Sequence, residues 1–234
     1  MNKYRFVCLD TETTGLRPVD GSRIIEIGMV EINSGIVTGR CYQSYLNCKE
    51  KLSDIVKNVT KITDEMLVGK PDFKDIVDDV YKFLNTDSNG NESKAILVIH
   101  NAKFDLSFLN FQLQEINREN LKHYQVIDTM EMVRNHMPGS KLSLDVLCEK
   151  YGVDLSQRQS GGHGALLDSK LLAEVFIKLV KDGANFEDLL NDQKREIIIK
   201  KRENSLQSRS FHLNNEDLER HALLLEKIKT NVYW

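Results

Sequence analysis

Three short stretches of this 234-residue chain carry acids in patterns that could do chemistry. The first is V-C-L-D-T-E-T-T-G-L, Val7 to Leu16, where an apolar run ends in Asp10 and Glu12. Side chains two apart on a strand point the same way, so these two carboxylates share a side. They repel each other unless something positive lies between them. A divalent metal site accounts for the pair, and so does a solvated strand end before a turn at Gly15. The second stretch is I-H-N-A-K-F-D, Ile99 to Asp105. It runs from a buried strand into a helix and sets Asp105 in the first helical turn, where an acid also complements the helix dipole. The third is G-G-H-G-A-L-L-D, Gly161 to Asp168. Its glycines make a flexible approach to a helix, with His163 on the loop and Asp168 on the helix. Singly, these read as a surface histidine and a solvated acid.

Taken together, four carboxylates and one histidine suggest a specific chemistry. Mg²⁺ and Mn²⁺ prefer oxygen ligands. Two such ions about 4 Å apart can clamp the attacking and leaving oxygens of a phosphodiester displacement. Asp10, the deepest acid, is the candidate bridge. Glu12 and Asp168 complete one ion's shell, and Asp105 acts on the other through water. A histidine with an ordinary pKa near 6.5 can take a proton from water at neutral pH. A glycine-flanked loop lets it swing in with substrate.

The elements that must position these residues follow from periodicity. Tyr4–Leu9, Arg23–Ile32 and Ile36–Leu46 read as strands, the last two forming a hairpin about Ser34-Gly35. Phe73, Ile76, Val77, Val80, Tyr81 and Leu84 have the spacing of an amphipathic helix. Asn85–Ser93 is a polar loop, Ala95–Ile99 a buried strand, Phe104–Ile116 a helix and Gln125–Ile127 a short strand. Helices follow at Thr129–His136, Leu142–Tyr151 and Gly164–Lys181. This order implies an α/β domain over residues 1–182, with a mixed five-stranded sheet, an antiparallel edge hairpin and flanking helices. Functional residues should then collect at the carboxyl ends of the central strands.

Composition narrows the class. The chain is 41% hydrophobic and 29% charged, with a formal net charge of -3, so bulk charge does not announce a nucleic-acid binder. Cys8, Cys41, Cys48 and Cys148 form no C-x-x-C pair, which argues against zinc and redox sites. The N-terminus lacks a signal-peptide core, and no apolar run nears the ~20 residues of a membrane span. A cytoplasmic protein with no membrane partner is expected. Residues 183–213 read as a flexible basic linker. Within them, Gln193–Ser210 holds six basic residues against two acids. Residues 214–234 read as a short helical tail, with Asn214 as its N-cap and Leu218, Ala222, Leu225 and Ile228 on one face. Such a tethered amphipathic face suits docking onto a partner.

The segments LDTETTGL, IHNAKFD and GHGALLD resemble the three motifs of the DEDDh 3′–5′ exonuclease family, which has an RNase H-like fold. Asp10, Glu12, Asp105 and Asp168 match its four acids and His163 its histidine. RIIEIGMVEI, KPDF, MPGSKLSLDVLCEKYGVD and HGALLDSKLLAEVF are similar to one group in that family, the epsilon (proofreading) subunits of bacterial DNA polymerase III. This similarity covers residues 4–180. It implies proofreading on a single-stranded or frayed DNA 3′ end, and two divalent ions, Mg²⁺ or Mn²⁺. It also implies a polymerase alpha-type partner held by the C-terminal tail, with room for further replisome subunits. On the family pattern, Glu12, Thr13, Thr14, Leu16, Asn101, Phe104 and His163 contact the substrate. One departure stands out: relatives often carry His-Gly-Ile near the terminal base, where this chain has Thr60-Lys61-Ile62. Asp128 is a further acid at a strand end, read here as structural or supporting. An RNA 3′-end exoribonuclease and a polymerase-stabilising binding subunit are the rival readings.

Overall fold

The computed structural model describes residues 1, 4–139, 141–188, 190 and 191, and not the side chains of 159–161. Five strands form one sheet in the order β3-β2-β1-β4-β5: β1 (Arg5–Thr13), β2 (Ile24–Asn33), β3 (Ile36–Tyr45), β4 (Ile96–Ile99) and β5 (Val126–Asp128). β2 runs antiparallel to both neighbours, while β1, β4 and β5 are parallel. This is the mixed sheet with an antiparallel edge hairpin that the sequence implies.

Strand alternation assigns the two faces. Phe6 and Cys8 of β1 point into one apolar cluster, and Val7 and Leu9 into another. The first cluster lies under α5 (Thr129–His136), α6 (Leu144–Tyr151) and α8 (Ala165–Lys181). The second lies under α3 (Phe73–Asn85) and α4 (Ala102–Glu115). α1 (Asp54–Thr60) and α2 (Asp64–Leu67) cover a smaller cluster around Ile25, Leu52 and Ile62. α7 (Ser156–Gly161) precedes the loop to α8. α8 reaches very close to β2 at Gly28. A Cβ there would stand 2.3 Å from the carbonyl carbon of Ala165, so only glycine fits.

A buried ion network ties the hairpin to α3. Arg5 Nε meets Glu31 Oε1 at 2.6 Å, and Arg40 Nη1 meets the same oxygen at 3.2 Å. Arg5 also donates to the carbonyls of Phe83 and Leu84, satisfying the end of α3.

Three features differ from the sequence reading. β1 continues four residues past the apolar run, because Asp10 to Thr13 go on pairing with β2. Both acids therefore stand on a strand rather than beyond it. α1, α2 and α7 add short helices where periodicity was too brief to register. The packed core also passes the boundary expected at residue 182, since Ala184, Phe186 and Leu190 are buried in the first cluster. The chain divides into Met1–Gln193 and Lys194–Trp234. The tail, and the linker beyond residue 191, lie outside the described residues.

Candidate active site

Asp10 and Glu12 sit on the face of β1 that carries Phe6 and Cys8, the side covered by α8. β4 leads directly into α4, and the turn between them needs Asn101 in the left-handed region, at φ 69°. Asp128 at the end of β5 holds that turn. Its carboxylate accepts from Asn101 N at 3.2 Å, Ala102 N at 3.0 Å and Met130 N at 2.9 Å. It thus caps two helices at once, the structural role read from sequence.

α4 then presents Asp105, 2% exposed, to the middle of the sheet. Asp105 Oδ1 accepts from both Thr11 N, at 2.9 Å, and Thr11 Oγ1, at 2.7 Å. The residue between the two β1 acids therefore pins the third. Asp168, 4% exposed, occupies the first turn of α8. His163 lies just before that helix, and its backbone N–H donates to Val59 O at the end of α1. Ligand atoms of Glu12, His163 and Asp168 all lie within 4.8 Å of one another. All five residues, with Asn101 and Phe104, line one cavity of about 440 Å³.

The electrostatics are those of crowded, partly desolvated acids. Burial, and then the charges of Asp105, Glu12 and Asp168, hold Asp10 well above the usual carboxylate range. Burial and neighbouring acids push Glu12 up to about 8. Burial raises Asp105 to about 7, against the lowering effect of its Thr11 hydrogen bonds. Arg158 of α7 works in the opposite sense on Asp10 and Glu12. Its Nη2 donates to Asp168 Oδ2 at 3.0 Å and stands 2.6 Å from His163 Nδ1. Nη1 pairs with Asp145 of α6. Sequence reasoning missed Arg158, whose only signal is one arginine in a polar stretch five residues before His163.

Thr13, Thr14 and Leu16 do not line this cavity. Thr13 Oγ1 donates to Gly15 O, and Thr14 Oγ1 accepts from Arg23 N, so both brace the loop after β1. Leu16 is 82% exposed. Thr60 is buried; its hydroxyl donates to Val56 O at 2.9 Å and accepts from Ile62 N at 3.1 Å. It closes α1 next to the carbonyl that holds His163.

Residues 7–176 match the family model described as Exonuclease (RNase_T). The chain belongs to this exonuclease family. Among its relatives is the DNA polymerase III subunit epsilon of Rickettsia prowazekii (strain Madrid E). That protein is 36% identical over 235 residues, covering 97% of this chain and 98% of the relative. The same subunit of Rickettsia conorii is 42% identical over 183 residues, 77% of this chain and 75% of the relative. A solved structure of the nuclease domain of 3′hExo, a DEDDh family member, bound to rAMP, superposes with a TM-score of 0.65. It is 25% identical and covers 77% of this chain and 93% of that one. Exonuclease X in complex with 5′ overhanging duplex DNA shares the fold, at TM-score 0.60 and 22% identity over 80% of this chain and 98% of that one. The sheet is therefore that of an RNase H-like exonuclease.

DEDDh exonucleases imply divalent metal ions, and the donor set of this member fits them. Its donors are hard carboxylate oxygens. Asp168 Oδ1 is buried with no hydrogen-bond partner among the described residues, and burial with mutual repulsion among the acids raises Asp10 and Glu12, a cost that a bound cation would relieve. Among the described residues, no helix is long and apolar enough to cross a membrane.

Proposed function

We infer that this exonuclease is a metal-dependent 3′–5′ exodeoxyribonuclease that proofreads for a replicative DNA polymerase and releases 5′-nucleotides. The observation that carries the chemistry is the meeting of Asp10, Glu12, Asp105, Asp168 and His163 at one cavity. The polymerase assignment is supported by a relative named DNA polymerase III subunit epsilon along nearly the whole chain.

In this reading Asp10, Glu12, Asp105 and Asp168 hold two divalent ions, Mg²⁺ or Mn²⁺. When bound, such ions stabilise charge on the attacking and leaving oxygens of the phosphodiester. The chain's own residues do the rest. Thr11 holds Asp105 by two hydrogen bonds, and Arg158 holds Asp168 Oδ2, which turns Oδ1 free for a ligand. Asn101 and Phe104 border the space for the terminal nucleotide. His163 takes the proton of the attacking water at Nε2. A guanidinium only donates, so while Arg158 engages Nδ1 the neutral ring carries its proton on Nε2. His163 becomes a base after tautomer exchange, when Nδ1–H donates instead to Asp168 Oδ2, 3.4 Å away. The C-terminal tail, residues 214–234, docks on the polymerase alpha-type subunit.

An RNA substrate is the second reading, favoured by the rAMP bound in the 3′hExo nuclease domain. Digestion of matched single-stranded DNA and RNA oligonucleotides, in Mg²⁺, Mn²⁺ and EDTA, decides between them. Expected is stepwise loss of 5′-mononucleotides from the DNA 3′ end in either metal and none in EDTA. Faster loss from RNA would overturn the DNA assignment, and digestion in EDTA the metal assignment.

A further inference from the structure

The helix that brings Asp168 to the site begins without a cap of its own. Gly164 holds the N-cap position of α8 and has no side chain to accept the first amides. A helix leaves its first four N–H groups without internal partners. Two of these are met from across the fold. Ala165 N donates to Glu26 Oε2 at 3.1 Å, and Leu166 N to Glu26 Oε1 at 3.4 Å. Glu26 belongs to β2, some 140 residues earlier in the chain, and is 1% exposed. Gln43 Nε2 of β3 donates to its Oε1 at 2.7 Å and fixes the carboxylate from the other side.

A second grip lies two residues along the same strand. Gly28 admits the Ala165–Leu166 peptide, and Gly28 O accepts from Ser169 Oγ at 3.0 Å. Ser169 is the neighbour of Asp168. β2 therefore holds the first turn of α8 at both of its ends. Glu26 also stands opposite Glu12 in the β1–β2 register. One strand thus fixes the spacing between the acid of β1 and the acid of α8.

Helix capping alone does not require this arrangement. Gly164 has an extended φ of -153°, and a Cβ there would meet nothing nearer than Glu26 Oε2 at 3.7 Å. A serine or aspartate at that position could cap α8 locally and avoid burying a carboxylate. A local cap would satisfy the same amides without tying them to β2. A cap borne by β2 also sets where the helix starts.

We propose that Glu26 is a positioning residue of the nuclease site. Its carboxylate fixes the N-terminal end of α8 on β2, and so sets where Asp168 and His163 stand relative to Glu12. This rests on the nuclease reading of the site.

The test uses the full chain with Glu26→Gln, which keeps the volume and one acceptor, and Glu26→Ala. Partners that orient metal-binding side chains are worth about 10- to 100-fold in affinity or activity. For Glu26→Ala, kcat on single-stranded DNA is expected to fall by about that factor, with KM within about three-fold. Mn²⁺ affinity by calorimetry falls in parallel, and the Ala165 and Leu166 amides lose hydrogen-exchange protection. Glu26→Gln lies between that variant and the wild type. Lost amide protection with unchanged kcat and Mn²⁺ affinity would overturn the proposal, leaving Glu26 as a cap and nothing more. If Glu26→Ala fails to fold, Glu26→Gln decides on the same criteria. A wild-type chain without metal-dependent 3′–5′ activity would refute the nuclease reading instead, and the Mn²⁺ affinities would still judge Glu26.

Discussion

Asp10 is the residue where charge is most crowded, and that sets apart what it does for activity from what it does for stability. Burial and three neighbouring acids hold it well above the usual carboxylate range. Asp10→Asn removes one of the repelling charges at nearly constant shape. We expect kcat to fall by about a hundred- to a thousand-fold, the scale of losing one preorganised electrostatic group. The thermal midpoint in EDTA should rise, because the remaining acids repel less. A lowered midpoint would contradict this electrostatic account. His163→Ala should reduce kcat by about 10²- to 10⁴-fold with little change in KM, as loss of a general base requires. A change confined to KM would remove that role. The grouping of the acids and His163 at one cavity was legible in the sequence because their three short motifs fall at a strand end and at two helix starts, with His163 on the loop before the second. Thr13, Thr14 and Leu16 were expected at the substrate; they lie outside this cavity, which Thr11 lines. β1 runs through Thr13, so the loop begins later than the apolar run suggests, and the hydroxyls of Thr13 and Thr14 are spent on Gly15 O and Arg23 N. Arg158 was illegible because its partners, Asp145, His163 and Asp168, come together only through tertiary packing.

Among the elements, the contact between β2 and α8 does most to set the site. Gly28→Ala places a methyl group into the Ala165–Leu166 peptide. Overpacking of this kind typically costs about 1–3 kcal/mol. Chemical denaturation should show that loss, and activity should fall with it because Asp168 rides on the displaced helix. Wild-type stability in this variant would mean that α8 sits farther from β2 than described. The hairpin makes a separate prediction about pH. Burial pushes Glu31 up, but hydrogen bonds from Arg5 and Thr38 and the charges of Arg5 and Arg40 outweigh it, and the carboxyl lies below its ordinary value of 4.5. A depressed folded pKa means that the unfolded chain binds the proton first. The contribution is therefore present above about pH 4.5 and is lost as pH falls through the folded value. The midpoint difference between wild type and Glu31→Gln should shrink on acidification through that window. A difference that grows there would refute the assignment. The long helices and the strands were readable because their periods persist over many residues. α1 and α2 were not, since four to seven residues give a helical period no room to repeat.

At the scale of the whole molecule, the nuclease core and the remainder of the chain can be separated by cutting in the right place. Phe186 packs edge-on against Phe6 and Phe176, and Ala184 and Leu190 are buried in the same cluster, so truncation at residue 183 would open the core. Removing residues 192–234 spares those contacts. Nuclease activity is expected to stay within about two-fold, since every residue of the described core is kept. Co-purification with the polymerase should fail. Retained polymerase binding would sink the proposed role of the tail. The order of the elements along the chain has a further consequence, one of timing. Asp10 and Glu12 lie on the first strand, whereas Asp168 arrives with the last long helix, Ala165–Lys181. During synthesis the ribosome releases the first two acids long before the fourth, and domains fold as units once their chain has emerged. On the proposed function, a nascent chain lacks its fourth metal-binding acid until α8 has been made. If the acids act as proposed, unfinished copies would spare the nucleic acids nearby.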